Sequence, residues 1–161
     1  MPRPSSPIES GPRRSHFTLA TAVLLPRSLT EVFAFFADAR NLQTLTPLWL
    51  NFEILTPQPI AMKVGALIDY RLRLHGLPLR WQSEITAWEP PHRFVDEQRR
   101  GPYRVWIHQH SFVEQNGGTL VRDEVEYAVP GGWLVQRLLV ARDLRRIFAF
   151  REERLKALFG G

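Results

Sequence analysis

The chain has 161 residues, 44% of them hydrophobic, with a net charge of +5 and a pI near 10.4, enough for one domain with its own core. It contains no cysteine, which excludes disulfides, thiolate metal sites and cysteine nucleophiles. No apolar run approaches the roughly 20 residues needed to span a bilayer, and the N-terminus lacks the apolar core of a secretory signal, so a cytoplasmic location is the expectation.

Residues 1–15 are rich in Pro, Ser and Arg. They cannot bury enough surface to offset their ordering entropy, and are expected to form a disordered basic tail ahead of a single domain over 16–161. His16 to Leu25 reads as a strand ended by Pro26. Ser28, with Glu31 three residues later, is a capping box. The helix it opens runs to about Ala37 and carries Val32, Phe33, Phe35 and Phe36. Asp38 is positioned to cap a second short helix, Ala39 to Leu45, which Thr46-Pro47 stops. Asn51 to Thr56 is a short strand.

Gly65 to Leu74 is a strand with Ile68, Tyr70, Leu72 and Leu74 on one face. A type II′ turn at Gly76-Leu77 sets Leu72 opposite Trp81, Tyr70 opposite Ser83 and Ile68 opposite Ile85. A loop of Glu89 to His92 then sets Ile85 opposite Asp96 and Ser83 opposite Gln98. Arg93 to Arg100 is the next strand. A three-residue loop at Gly101-Pro102 places Asp96 beside His108 and Gln98 beside Trp106; a two-residue loop flips the face. Asn116-Gly117 is the strongest hairpin signal in the chain, since a type I′ turn needs positive φ at both central residues. It pairs Phe112 with Val121, His110 with Asp123, His108 with Val125 and Trp106 with Tyr127. After Pro130-Gly131-Gly132 the pattern turns helical. Leu134, Leu138, Ala141, Leu144, Phe148, Leu155 and Leu158 recur at three- and four-residue steps up to Phe159, with arginines over much of the other face.

The order is one strand, two short helices, six strands and one long helix. A mostly antiparallel sheet with one apolar face needs a cover, and the last helix is the only large apolar surface available. The expected fold is therefore α+β: a curved seven-stranded antiparallel sheet, two short helices after strand 1, and the long C-terminal helix over the concave face.

Three segments carry a family resemblance: EVFAFFADARNLQTLTPLWLNFEIL (31–55), GLPLRWQSEITAWEPPHRFVDEQRRGPYRVWIHQHSF (76–112) and GGTLVRDEVEYAVPGG (117–132). They resemble the START-like, or SRPBCC, superfamily of helix-grip domains, and most of all a bacterial branch described as ligand-binding or polyketide cyclase-type. The resemblance extends over about Phe17 to Phe159. It implies a cavity between sheet and helix for a small hydrophobic or amphipathic molecule. It says little about chemistry, because the superfamily hosts carriers, receptors and enzymes alike. Without cysteine, a Rieske-type centre is excluded.

The expected cavity wall comprises Tyr70, Leu72, Trp81, Ser83, Ile85, Phe94, Asp96, Gln98, Trp106, His108, His110, Phe112, Asp123 and Tyr127. The polar cluster within it, Asp96, Gln98, His108, His110 and Asp123, has three readings. It satisfies its own buried hydrogen bonds and orients a ligand; its pairs His110–Asp123 and His108–Asp96 move protons in a cyclase or dehydratase; or His108-x-His110 with an aspartate ligates a metal. The first is favoured over the second and the second over the third, so no metal or cofactor is expected. Binding, carriage or sensing of a small molecule comes first and enzymatic use of the cavity second. A basic surface module comes last, since the arginines are scattered and no nucleic-acid motif accompanies them.

Overall fold

A computed structural model describes residues 16–160; the expected tail over 1–15 lies outside the described residues. Alternation of apolar and polar side chains gives each strand one inner and one outer face, and the sheet is built on that difference. The strands are β1 (Phe17–Leu25), β2 (Glu53–Ile54), β3 (Leu67–Leu74), β4 (Leu77–Glu89), β5 (Arg93–Arg100), β6 (Val105–Gln115) and β7 (Gly118–Ala128). They form one seven-stranded sheet in the order β1-β7-β6-β5-β4-β3-β2, every pair antiparallel. Arg71 with Glu53, Arg93 with Glu89 and Arg99 with Glu84 are ion pairs on the outer face.

The β6–β7 hairpin turns at Asn116-Gly117, both at positive φ (49° and 76°), and pairs Phe112 with Val121 and His110 with Asp123 as the sequence predicts. The β3–β4 hairpin departs from expectation. It turns one residue earlier, at His75-Gly76 (φ 50° and 79°), so Tyr70 lies opposite Trp81 and Leu72 opposite Leu79. Moving a turn centre by one residue shifts the register by two, which keeps every side chain on its face. At β4–β5 the expected partners, Ile85 with Asp96 and Ser83 with Gln98, are reached by another route. The turn after Glu89 is one residue tighter, and an irregularity between Ile85 and Ala87 restores the register. Asp96 lies opposite His108 as in the longer-loop alternative, though pairing stops at Glu97–Ile107 and does not extend to Gln98–Trp106.

Gly118 is required by packing. A Cβ there would meet Leu25 O at 2.3 Å, so β1 and β7 can close only with glycine at that position.

Between β1 and β2 lie α1 (Leu29–Ala37), α2 (Asn41–Thr44) and a 3₁₀ turn, Leu48–Leu50. Ser28 Oγ accepts the Glu31 N–H at 3.2 Å, closing the N-terminus of α1. Ser28→Ala is expected to lower stability by about 1 kcal/mol, measured by urea denaturation; a change below about 0.3 kcal/mol would show that the cap carries no weight. The second helix is shorter than Ala39 to Leu45. The Asp38 carboxylate accepts from Arg40 N and Nε in a local turn.

The C-terminal helical segment is α3 (Gly132–Val135), a π-helical turn (Gln136–Val140) and α4 (Ala141–Phe159). One apolar stripe was expected along its whole length. The structure buries Leu144, Phe148 and Leu155 but exposes Leu134 and Leu138, the latter by 63%. A π turn holds extra residue per turn, and each residue advances the helix by about 100°. The stripe on α4 therefore does not continue in phase through the residues before it.

Two apolar clusters flank the concave face. One joins Phe33 and Phe36 of α1 to Phe94, Phe112, Leu155 and Phe159. The other joins Val125, Tyr127 and Val129 to Leu144 and Phe148. In this way α4 is gripped at both ends of its buried face.

Candidate functional site

A cavity of about 220 Å³ remains between the sheet, the α1–α2 segment and α4. It exists because the sheet curves away from α4 while the two clusters fill only its flanks. Ten of the expected wall residues line it: Tyr70, Leu72, Trp81, Ser83, Ile85, Phe94, Asp96, Trp106, His108 and His110. Aromatic contacts hold much of the wall. Trp81 stacks on Tyr70 at 5.7 Å and meets Trp106 edge-on at 5.3 Å. Trp81 Nε1 donates to Ser83 Oγ at 3.1 Å.

Four expected wall residues lie elsewhere. Gln98 pins the β5–β6 loop, donating to Tyr103 O at 2.7 Å and accepting from Tyr103 N at 3.1 Å. Phe112 is fully buried in the first apolar cluster. Tyr127 belongs to the second cluster, its hydroxyl accepting from Gln136 Nε2 at 3.1 Å. Asp123 is buried behind the histidines. Pro102 and Tyr103 of the β5–β6 loop line the cavity, whereas Trp133 does not and is 62% exposed.

The polar cluster is assembled by β5, β6, β7 and α4. His108 and His110 share the inner face of β6, their ring centroids 3.8 Å apart. His110 stacks on Phe94 at 4.1 Å and 16°, directly across the β5–β6 pair. His110 Nε2 lies 2.8 Å from Asp96 Oδ2 and its Nδ1 3.0 Å from Asp123 Oδ1. His108 Nε2 lies 2.8 Å from Asp123 Oδ1, while its Nδ1 stays 3.8 Å from Asp96 Oδ2. The pairing expected from cross-strand neighbours is thus corrected for His108: its close partner is the diagonal Asp123, not the facing Asp96. Diagonal neighbours are within reach of long side chains in a twisted sheet.

Arg151 completes the cluster. Its Nε donates to Asp123 Oδ2 at 3.1 Å and its Nη2 to Asp123 Oδ1 at 3.3 Å, and the guanidinium lies over the Phe36 ring at 5.3 Å. It was absent from the expected site because it was counted with the surface arginines. A signal was present: Leu144, Phe148, Arg151 and Leu155 step by four, three and four residues, which puts the arginine inside the buried stripe. Asp143 was also missed; it lines the cavity and takes His75 Nε2 from the β3–β4 turn at 2.7 Å. Phe35, Phe36, Leu45, Tyr103, Ile147 and Phe148 complete much of the apolar wall.

The electrostatics divide the two imidazoles. Burial pushes the Asp123 carboxyl up, but the Arg151 charge and the hydrogen bonds from both histidines overcome it and hold it well below the usual range. Asp96 is likewise raised by burial, then brought lower by His110, His108 and Arg151. Burial and the adjacent His110 bring His108 below the ordinary imidazole value. His110 is pushed down by burial too, yet its bonds to Asp123 and Asp96 raise it above that value. The cluster therefore holds one imidazole that favours the neutral form beside one that favours the charged form.

The sequence matches a family model described as polyketide cyclase / dehydrase and lipid transport, over residues 25–155. None of the curated proteins matches it. Similar solved structures include CV1439 from Chromobacterium violaceum (TM-score 0.71, 15% identity, 90% of this chain and 99% of that one). Ms6760 from Mycobacterium smegmatis follows the same fold (0.66, 18%, 88% and 89%). So does ginseng major latex-like protein 151 from Panax ginseng (0.66, 10%, 89% and 97%). At these identities the structures speak for the fold alone. Among the described residues no helix is long and apolar enough to cross a membrane. Since the family model spans β7, the histidine strand and nearly all of α4, the chain belongs to the polyketide cyclase / dehydrase and lipid transport family of START-like helix-grip domains.

Proposed function

We propose that the domain binds a small, mostly apolar molecule with one polar end, and acts as a carrier, sensor or binding protein for it. The observation that supports this is the cavity of about 220 Å³, walled mostly by aromatic and aliphatic side chains, with Asp96, His108, His110 and Arg151 grouped as one polar cluster in its wall. Apolar pockets with a few convergent polar groups are the usual form of small-molecule sites. The apolar part of the ligand lies against Trp81, Trp106 and Leu72, and its polar end reaches the histidines. Native mass spectrometry of freshly purified protein, with organic extraction, is the direct test, and a bound small molecule is the expected result. In parallel, the dye 8-anilinonaphthalene-1-sulfonate is titrated into wild type and Leu72→Trp. The larger ring intrudes into the cavity, so dye affinity is expected to fall at least about tenfold, or ~1.4 kcal/mol. An empty wild-type protein with equal dye binding in both forms would overturn the reading.

A second reading, proton transfer on the bound molecule in a cyclase or dehydratase reaction, rests on a separate observation. Two imidazoles on the cavity wall are each oriented by a carboxylate at 2.8 Å, the buried Asp123 for His108 and the partly buried Asp96 for His110, the arrangement general acid–base catalysis uses. His110→Gln separates the two. A binder changes affinity only, whereas an enzyme keeps its ligand and loses turnover.

A further inference from the structure

The geometry points to a divalent transition-metal site in the cavity wall, zinc being the reference ion, with Asp96 Oδ2, His108 Nδ1 and His110 Nε2 as its ligands. These three side chains offer ligand atoms that all lie within 4.8 Å of one another. Asp96 Oδ2 is 2.8 Å from His110 Nε2 and 3.8 Å from His108 Nδ1. Around a tetrahedral zinc with bonds of about 2.0–2.1 Å, ligand atoms sit about 3.4 Å apart. The two separations from Asp96 Oδ2 differ from that spacing by about 0.6 and 0.4 Å.

The arrangement behind the histidines is what distinguishes this site from a chance His-x-His. Both remaining imidazole nitrogens, His108 Nε2 and His110 Nδ1, converge on Asp123 Oδ1 at 2.8 and 3.0 Å. Asp123 is in turn fastened by Arg151 at 3.1 and 3.3 Å. A carboxylate can only accept, so His108 Nε2 carries its proton toward Asp123, while His110 Nδ1 also lies 3.3 Å from Arg151 Nη2. That leaves a lone pair on His108 Nδ1, whose distance of 3.8 Å from Asp96 Oδ2 is too long for a hydrogen bond. On His110 the ion takes the place of the proton shared between Nε2 and Asp96. A carboxylate fixing the far nitrogen of each metal-ligating histidine is the regular outer shell of such sites. The rigid strand β6 supplies two of the three ligands, which favours a defined geometry.

The charges agree. Asp96 and Asp123 contribute two negative charges and Arg151 one positive, so once the ion has displaced the His110 proton and both imidazoles are neutral, the protein groups carry −1. Arg151 donates to Asp123 and reaches His110 Nδ1 at 3.3 Å, the ring nitrogen opposite the proposed ligand atom. Asp96, His108 and His110 line the cavity, so an ion there has three protein ligands and an open position toward the bound molecule. A carboxylate, phenolate or carbonyl oxygen on that molecule would complete the coordination.

The test needs the ions alone, so it stands or fails separately from binding of an organic ligand. The full-length protein is stripped with a chelator, dialysed and titrated with Zn²⁺ by calorimetry. It is also titrated with Co²⁺, whose visible absorption reports ligand number. One Zn²⁺ per chain is expected, with a raised Tm and a low-symmetry cobalt spectrum. Asp96→Asn and His108→Gln, each shown folded by circular dichroism, are expected to lose at least about tenfold in affinity. Asp123→Asn, if folded, is expected to lose about 10–100-fold without removing a ligand. Absence of saturable binding in the wild type would overturn the proposal. So would unchanged binding in both Asp96→Asn and His108→Gln, which would place the ion on surface groups such as His16, His75 or His92.

Discussion

Replacing Arg151 by methionine is expected to destabilise the domain by about 3–5 kcal/mol. Methionine replaces the apolar stem of the side chain but removes the guanidinium that lies over Phe36 and pairs with Asp123, so the loss is chiefly electrostatic. Asp123 is buried, and among the described residues its partners are the Arg151 guanidinium and the two histidines. Removing the guanidinium leaves a carboxylate in a low-dielectric interior with only imidazoles to balance it. Urea unfolding monitored by tryptophan fluorescence is the measurement. The double variant Arg151→Met with Asp123→Asn is expected to recover part of the loss, because the unpaired charge is gone and the two effects are then less than additive. A single variant within about 1 kcal/mol of wild type would show that the histidines alone hold Asp123, and that α4 is fastened by apolar contacts only.

Phe112→Ala is expected to cost about 3–5 kcal/mol, the range for deleting a buried phenyl ring. Phe112 is fully buried, with Phe33, Phe36 and Phe94 around it at 5.3, 5.0 and 6.1 Å between ring centroids. The same variant separates core from cavity. Were Phe112 a cavity wall, as its place on the strand two residues after His110 predicts, its truncation would enlarge the cavity and alter dye binding directly. Buried in the first apolar cluster, it should lower stability while the folded fraction binds the dye with near wild-type affinity. A large affinity change with little loss of stability would return it to the wall.

Local chemistry made much of the fold legible. Asn116-Gly117 accepts positive φ at both positions, and from it the whole β6–β7 register follows. Ser28 and Glu31 mark the start of α1, and the hydrogen bond is there. At β3–β4, however, the turn formed at His75-Gly76 rather than Gly76-Leu77. Glycine following a residue that enters the left-handed region makes a type I′ turn, and glycine first makes a type II′ turn. The choice was made by the strands on either side, not by glycine. The face assignment survived because both registers have the same parity.

The fold class, the buried face of the sheet and the two histidines on it were all legible in the residues alone. Alternation, turn residues and helical periodicity are local signals, and each is read within a few residues. What those groups do to one another depends on how distant elements pack. The twist of the sheet turns His108 from the facing Asp96 to the diagonal Asp123. The docking of α4 carries Arg151 into the cluster from the other side of the chain. The curvature of the sheet leaves Tyr70, Trp81 and Trp106 around open space while it closes Phe112 and Tyr127 into the flanking clusters. Residues that share one strand face are alike in sequence; whether they meet packing atoms, a charge or a cavity depends on elements that approach from far along the chain.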